Sequence, residues 1–304
     1  MKRNRRTFLQ VAGTFSAGSL LLPQLACNTS TSTDSENKKT TTAKAPKKID
    51  QFGIQLWTLR DVMPKDPKGV LKRVASYGFH QIESYEGDQG IFWGMTPKDF
   101  KLYMDDLGLN VVASHCNIFK DFELKASQAA SVGIKYLVFP WIETPKSMDE
   151  WKSLVDQFNI CGGICKKNGI RFGYHNHDFE FMAIDGTLPM DYLLANTDPD
   201  LVDFEMDIYW AVTAQVDPVA YFKKHSGRFR LCHIKDRMKG VAKEETNASC
   251  DLGTGVIDFP QVLTQAKKHG MEYFLLEQER YDNSTSLKSA QVGAAYLRDF
   301  EFVG

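Results

Sequence analysis

Charge of either sign is nowhere in excess: 37 Lys and Arg stand against 38 Asp and Glu, a formal net charge of -1. That balance offers no electrostatic footprint for nucleic acid or an anionic membrane surface. No Gly-rich phosphate loop follows the first strand-like run, which counts against a doubly wound dinucleotide-binding sheet. An Arg cluster that would mark a phosphorylated ligand is missing as well. Cysteine is sparse and shows no pairing pattern. Cys161 and Cys165 lack the spacing of a zinc ribbon or a thioredoxin-like pair, and Cys116 and Cys232 sit in apolar runs where buried free thiols are the ordinary outcome. No repeat of 20–50 residues is visible beyond an alternation of strands and helices. A small, largely uncharged ligand is what these absences leave.

What is present begins with a core. Of 304 residues, 43% are apolar and 12% aromatic, enough for one large domain such as a barrel of roughly 250 residues. The N-terminus is a different matter. Lys2, Arg3, Arg5 and Arg6 precede an apolar stretch from Phe8 to Leu22 that is short for a bilayer-spanning helix, the layout of an export signal. Arg5-Arg6-Thr7-Phe8-Leu9 resembles the twin-arginine type. Cys27 follows Leu25-Ala26, as at a lipid-attachment site, although Gln24 departs from the usual aliphatic residue. Residues 28–49 hold almost nothing apolar and are expected to form a flexible tether. The expected organisation is a signal over 1–27, a linker over 28–49 and one domain over 50–304. The expected location is the periplasm, with membrane attachment if Cys27 is lipidated.

From Gly53 onward, short β-branched runs alternate with helical stretches, the pattern of parallel βα units. Eight strands are expected: Gly53–Thr58, Gln81–Tyr85, Val111–Ser114, Tyr136–Pro140, Arg171–Tyr174, Val202–Met206, Arg228–His233 and Tyr273–Glu277. Helices are expected over Pro67–Tyr77, Pro97–Leu107, Met148–Lys167, Pro218–His225 and Phe259–His269. Several open on Asp-Pro or Thr-Pro, a cap followed by proline in the first turn. Eight such units predict a single-domain (β/α)8 TIM barrel.

A barrel of this kind builds its site at the C-terminal ends of its strands. Those ends carry Glu83, His115, His175 with His177, Asp207, His233 with Lys235 and Asp236, and Glu277. One strand-end His or Glu is more often a cap or salt-bridge partner. Six converging ends are another matter, because such a cluster is self-repelling or costly to bury without a cation. Mixed imidazole and carboxylate donors suit Mn²⁺, Zn²⁺, Co²⁺ or Fe²⁺ better than Ca²⁺.

The strings Gly53-Ile-Gln-Leu-Trp-Thr-Leu, Tyr174-His-Asn-His-Asp-Phe-Glu180, His233-Ile-Lys-Asp236 and Gly253-Thr-Gly-Val-Ile-Asp-Phe259, with Ile82-Glu83, Asp207 and Leu276-Glu277, carry a resemblance. Together they resemble the sugar phosphate isomerase/epimerase family of xylose isomerase-like barrels, in an exported Bacteroidota-type member. The resemblance implies one divalent metal ion held by Asp207, His233, Glu277 and a residue after the fifth strand. There the family's Glu-Asn-His is matched by His175-Asn176-His177, so His175 is the expected fourth ligand and His177 the alternative. A His on that face puts two-base epimerisation in doubt and leaves one-base isomerisation, hydration and β-elimination open.

The chemistry expected is enolisation of a keto sugar or related polyol ketone. Glu277 is the expected proton-transfer base, His177 or Glu180 a second acid or base, and Lys235 a stabiliser of oxyanion charge. Glu83 and His115 are expected to orient substrate hydroxyls or relay protons, and Asp236 to contact the substrate. Trp57, Trp141 and Trp210 are candidates for an apolar wall, with barrel packing as the plainer alternative. Gly253 and Gly255 read as a structural loop and Asp258 as a helix cap. Export favours a non-phosphorylated carbohydrate; nucleic acid is not an expected partner, and a homo-oligomer is compatible with the sequence. The rival reading is a non-catalytic sugar-binding lipoprotein.

Overall fold

The computed structural model describes residues 48–282 and 284–304. The expected signal, Cys27 and most of the tether therefore lie outside the described residues. The tether's last two positions do not behave as linker, since Lys48 bridges Glu301 and Ile49 is buried in the core.

The strands run β1 Gly53–Gln55, β2 Gln81–Tyr85, β3 Asn110–His115, β4 Tyr136–Phe139, β5 Arg171–His175, β6 Val202–Asp207 and β7 Phe229–Ile234. A short antiparallel pair follows, β8 Asp236–Arg237 with β9 Ser249–Cys250, and then β10 Tyr273–Leu276. All but that pair close into a parallel barrel in the order β1-β10-β7-β6-β5-β4-β3-β2. The expected strands are all present. The first is shorter than expected because Gln55 Oε1 accepts the Trp57 N–H at 2.9 Å and turns Leu56–Leu59 into a 3-10 helix.

The helices are α1 Pro67–Tyr77, α2 Pro97–Asp106, α3 Phe122–Ser131, α4 Met148–Lys167, α5 Pro189–Asn196, α6 Ile208–Thr213, α7 Pro218–Lys224, α8 Phe259–Lys268 and α9 Ser286–Asp299. Their starts follow the capping chemistry: Asp66, Thr96, Asp217 and Asp258 each accept a backbone N–H in the first turn, ahead of a proline. Gly78, at φ 95°, ends α1 in the left-handed region that glycine adopts without a Cβ penalty.

Two apolar layers result. The larger lies between the strands and the helices and includes Phe100, Trp151, Phe158, Tyr174, Phe204 and Phe259. The smaller joins Val112, Ala113, Tyr136, Val138, Leu231 and Leu275. These residues come from two neighbouring pairs, β3 with β4 and β7 with β10, which lie on different sides of the barrel and meet each other only through its interior. This plug is the base on which the polar strand ends stand.

Candidate active site

Side chains alternate across a strand, so the residues stacked above the plug are fixed by a period of two. On β6 this puts Asp203, Glu205 and Asp207 on one face. On β7 it puts Leu231 and His233 inward, and on β10 Leu275 with Glu277 just past the strand end. Parallel register then pairs His175 with Glu205 and Asp207 with His233.

The donors form two levels that share His233. At the rim, Asp207, His233 and Glu277 place one potential metal-ligand atom each within 4.8 Å of one another. His233 Nδ1 is 3.1 Å from Glu277 Oε2 and 3.7 Å from Asp207 Oδ2, and His175 Nε2 is 3.9 Å from that same Asp207 oxygen. Lys235 Nζ lies 2.9 Å from Asp207 Oδ2, 2.8 Å from Glu277 Oε2 and 2.9 Å from Glu279 Oε2. Asp207 Oδ1 caps α6 by accepting the Trp210 N–H at 3.0 Å. Asp207 Oδ2 is buried and, despite the nearby ammonium, has no partner at hydrogen-bond geometry.

One pleat below, His115, His175, Glu205 and His233 form a second group within the same 4.8 Å limit. His115 Nε2, His175 Nδ1 and His233 Nε2 lie 2.8, 3.1 and 3.4 Å from the single oxygen Glu205 Oε2. Glu83 closes the group, its Oε2 2.7 Å from His233 Nε2 and its Oε1 3.4 Å from His115 Nε2.

Burial would raise every carboxylate here, but the cations override it at the rim. Lys235 and His233 hold Glu277 well below the usual carboxylate range, and the same two groups lower Asp207. His233, His115 and His175 keep Glu205 well below its ordinary value. Glu83 goes the other way, raised by burial and by the Glu205 charge beside it. Burial lowers His175 and His177, so both stay neutral and able to accept a proton, each disfavoured further by a neighbouring imidazole.

Above these levels opens a cleft of about 870 Å³. His115, His175, His177 and Glu277 reach its floor, and Trp57, Trp141 and Trp210 line its walls together with Phe119 and Tyr85. Trp57, Trp141 and Phe119 are 40%, 57% and 64% exposed, so their rings face solvent rather than the core. Neither Arg nor Lys is among the described residues lining the cleft.

Several sequence expectations need correcting. Glu180 does not line the cleft; it accepts from Tyr174 Oη at 2.5 Å and from the His177 N–H at 2.8 Å, tying the loop after β5 to the helix layer. Asp236 is fully buried and accepts the N–H groups of Arg237, Gly253, Gly255 and Ile257, so it organises a loop and not a ligand. Gly255 belongs to that bond set, because a Cβ there would stand 2.2 Å from Asp236 Oδ1. Glu83 is fully buried under the imidazoles, out of reach of the cleft. Lys235 is fully buried among three carboxylates rather than presented to a ligand. The sequence reading also missed Glu205, the hub of the lower level, and Glu279, the third partner of Lys235. The Asp203-x-Glu205-x-Asp207 alternation and the Glu277-x-Glu279 spacing were the available signals.

The fold and site together define a (β/α)8 barrel with a buried imidazole and carboxylate centre at its C-terminal rim, beneath an aromatic cleft. The chain belongs to the xylose isomerase-like TIM barrel family, whose match spans residues 71–300. An inosose dehydratase of Bacillus licheniformis is 29% identical over 205 residues, 61% of this chain and 67% of that one. Over other inosose dehydratases that it matches, the chain spans about half their length. A solved sugar phosphate isomerase/epimerase from Parabacteroides distasonis is 30% identical, covers 85% of this chain and 96% of its own, and superposes with a TM-score of 0.69. The IolI protein, solved with a bound zinc atom, shares the fold at 15% identity and a TM-score of 0.67 over 82% of this chain and 99% of its own.

Proposed function

We propose that this protein is a metal-dependent enzyme that enolises a non-phosphorylated polyhydroxy ketone. The observation that carries the reading is the rim set of Asp207, His233 and Glu277, with the buried Asp207 Oδ2 left without a hydrogen bond at the bottom of the aromatic cleft. The Lys235 ammonium 2.9 Å away offsets its charge without completing a hydrogen bond, and a metal ion is a further partner that its surroundings suit. The residues therefore fit one divalent ion on Asp207, His233 and Glu277, with His175 Nε2 as the nearest further donor. Bound there, the ion supplies Lewis acidity toward a carbonyl and its neighbouring hydroxyl.

The rest of the work falls to side chains. Glu277, held ionised by Lys235 and His233, takes the proton from the carbon between the two oxygens. The electron pair released moves onto the carbonyl oxygen. Returning the proton to the adjacent carbon gives an isomer. Expelling a hydroxyl β to the carbonyl, which leaves with the proton that Glu277 has taken, gives water and an enone and returns the carboxylate. Similarity to inosose dehydratases favours the second outcome. A cleft without Arg or Lys supports a substrate without phosphate, and its aromatic walls suit the apolar face of a sugar ring.

The test is proton NMR in D2O with the metal-loaded protein and a panel of ketoses, 3-keto-glucosides and inososes, repeated with chelator and with Glu277→Gln. Deuterium entering beside the carbonyl, abolished by both controls, is the expected result, and the product separates isomerase from dehydratase. A folded, metal-containing protein that exchanges none of the panel would return the sugar-binding reading to first place.

A further inference from the structure

Giving His233 to the rim through Nδ1 leaves a second, deeper set of donors that the proposed chemistry does not use. We infer that this barrel floor is a second divalent-cation site, held by His115 Nε2, His175 Nδ1 and Glu205 with Glu83 at its edge, so that the centre is dinuclear. The inference rests on the rim reading only in that assignment of His233.

Four observations carry it. The donors come from β2, β3, β5 and β6; Glu83 and Glu205 are fully buried, and only His115 and His175 reach the cleft floor, so no solvent substitutes for a missing partner of the two carboxylates. His115 Nε2 and His175 Nδ1 converge on Glu205 Oε2 at 2.8 and 3.1 Å, so the three need to part by only about 0.6 Å at most to reach the edge of about 3.4 Å expected for a tetrahedron with bonds of 2.0–2.1 Å. Hydrogen bonding alone satisfies the group poorly: three ring nitrogens crowd one carboxylate oxygen, while Glu205 Oε1 and Glu83 Oε1 are buried with no partner. Finally, with the imidazoles neutral, as metal ligands must be, five carboxylates (Glu83, Glu205, Asp207, Glu277 and Glu279) share one ammonium, Lys235. Two divalent ions bring that formal balance to zero; one leaves it two charges short. Two imidazoles and a carboxylate favour Zn²⁺, Mn²⁺, Fe²⁺ or Co²⁺ over Mg²⁺ or Ca²⁺.

His175 stands between the levels, Nδ1 on the floor and Nε2 3.9 Å from the rim Asp207. With His175 given to the floor, the rim would keep three protein donors below the open cleft, as a catalytic site does, whereas the floor group lies one pleat deeper.

The experiment strips the full chain with chelator, titrates it with zinc chloride alone, removes unbound ion and counts zinc per chain by mass spectrometry. Two per chain are expected, falling to one in His115→Gln, in Glu205→Gln and in Asp207→Asn. Cobalt absorption spectra should differ between His115→Gln and Asp207→Asn, because a different ion remains in each. His115→Gln, altered at the cleft surface, keeps the test readable if Glu205→Gln does not fold. Saturation at one zinc that both floor variants retain and Asp207→Asn loses would overturn the second site and leave the rim. One zinc lost in His115→Gln and kept in Asp207→Asn would uphold the floor and sink the rim reading. No zinc at all overturns both.

Discussion

Glu205 and His175 are register partners on adjacent barrel strands, with Glu205 Oε2 3.1 Å from His175 Nδ1. The pairing explains how an imidazole is accommodated where relatives of this family are expected to carry a Glu. The carboxylate one pleat down orients the ring, and its charge is offset by three imidazoles. His175→Glu should therefore be harmful even though it restores the expected residue type, because it sets two buried carboxylates side by side. A loss of about 3–5 kcal/mol, or roughly 10 °C in Tm, is expected. The double variant His175→Glu/Glu205→Gln should recover most of it. Equal melting temperatures for the single and double variants would show that the two side chains are not coupled.

Lys235 makes the opposite prediction about cations. Its ammonium is buried among Asp207, Glu277 and Glu279, and they raise it well above the ordinary lysine range against the pull of burial. Lys235→Met removes that ammonium and leaves three carboxylates together, so the metal-free protein should lose about 3–5 kcal/mol. Zinc added at a hundredfold excess over its dissociation constant should return about 2.7 kcal/mol through binding to the native state alone. Thermal melts with and without zinc read both effects. A Lys235→Met protein that zinc does not stabilise would argue against a rim cation.

The barrel was legible because its signals are local. Caps, prolines and glycines mark the helix starts and ends, and each β-branched run is short enough to be a strand. Asp207, His233 and Glu277 were legible because strand ends converge in any such barrel. Glu205 was not, since it lies inside a strand and reads as one of three acids in Val202-Asp203-Phe204-Glu205-Met206-Asp207. Only the barrel's closure shows that it faces His115 across β3 and not solvent. Asp236 and Glu180 were misread for the same reason: a polar residue beside a strand end does not announce whether it turns into the cleft or back toward a backbone N–H.

Asp236 should accordingly behave as a structural residue. Asp236→Ala strands four backbone N–H groups, of Arg237, Gly253, Gly255 and Ile257, for a cost of at least about 3 kcal/mol. The damage should concentrate in the segment 238–257, seen as faster hydrogen exchange and protease cleavage there. Whatever activity survives should show KM changed less than about threefold. A large rise in KM with the loop still protected would restore Asp236 to the substrate.

The exposed aromatics of the cleft predict a binding effect without a chemical one. Trp141 is not one of the donors, yet it lines the cleft and is more than half exposed. Trp141→Ala should raise KM about tenfold, a loss of roughly 1.4 kcal/mol of stacking, with kcat unchanged. An unchanged KM would confine Trp141 to the surface.

Glu180 carries a pH dependence whose sign follows from its burial. Burial pushes its carboxyl up to about 8 from 4.5, against the opposing hydrogen bonds from Tyr174 and the His177 backbone. Between those two values the unfolded chain has lost the proton and the folded chain keeps it, so the unfolded state binds fewer protons and stability falls as pH rises. The fall begins near pH 4.5, continues to about pH 8 and then levels off, with an upper bound of about 5 kcal/mol for a shift of this size. Glu180→Gln mimics the protonated carboxyl: its oxygen accepts from the His177 N–H and its amide donates to Tyr174 Oη. At pH 5 the variant should match the wild type, and by pH 8.5 it should be the more stable of the two. Melting temperatures of both proteins across that range decide it, and parallel curves would mean that Glu180 is ionised in the fold and that Tyr174 donates to a charged partner.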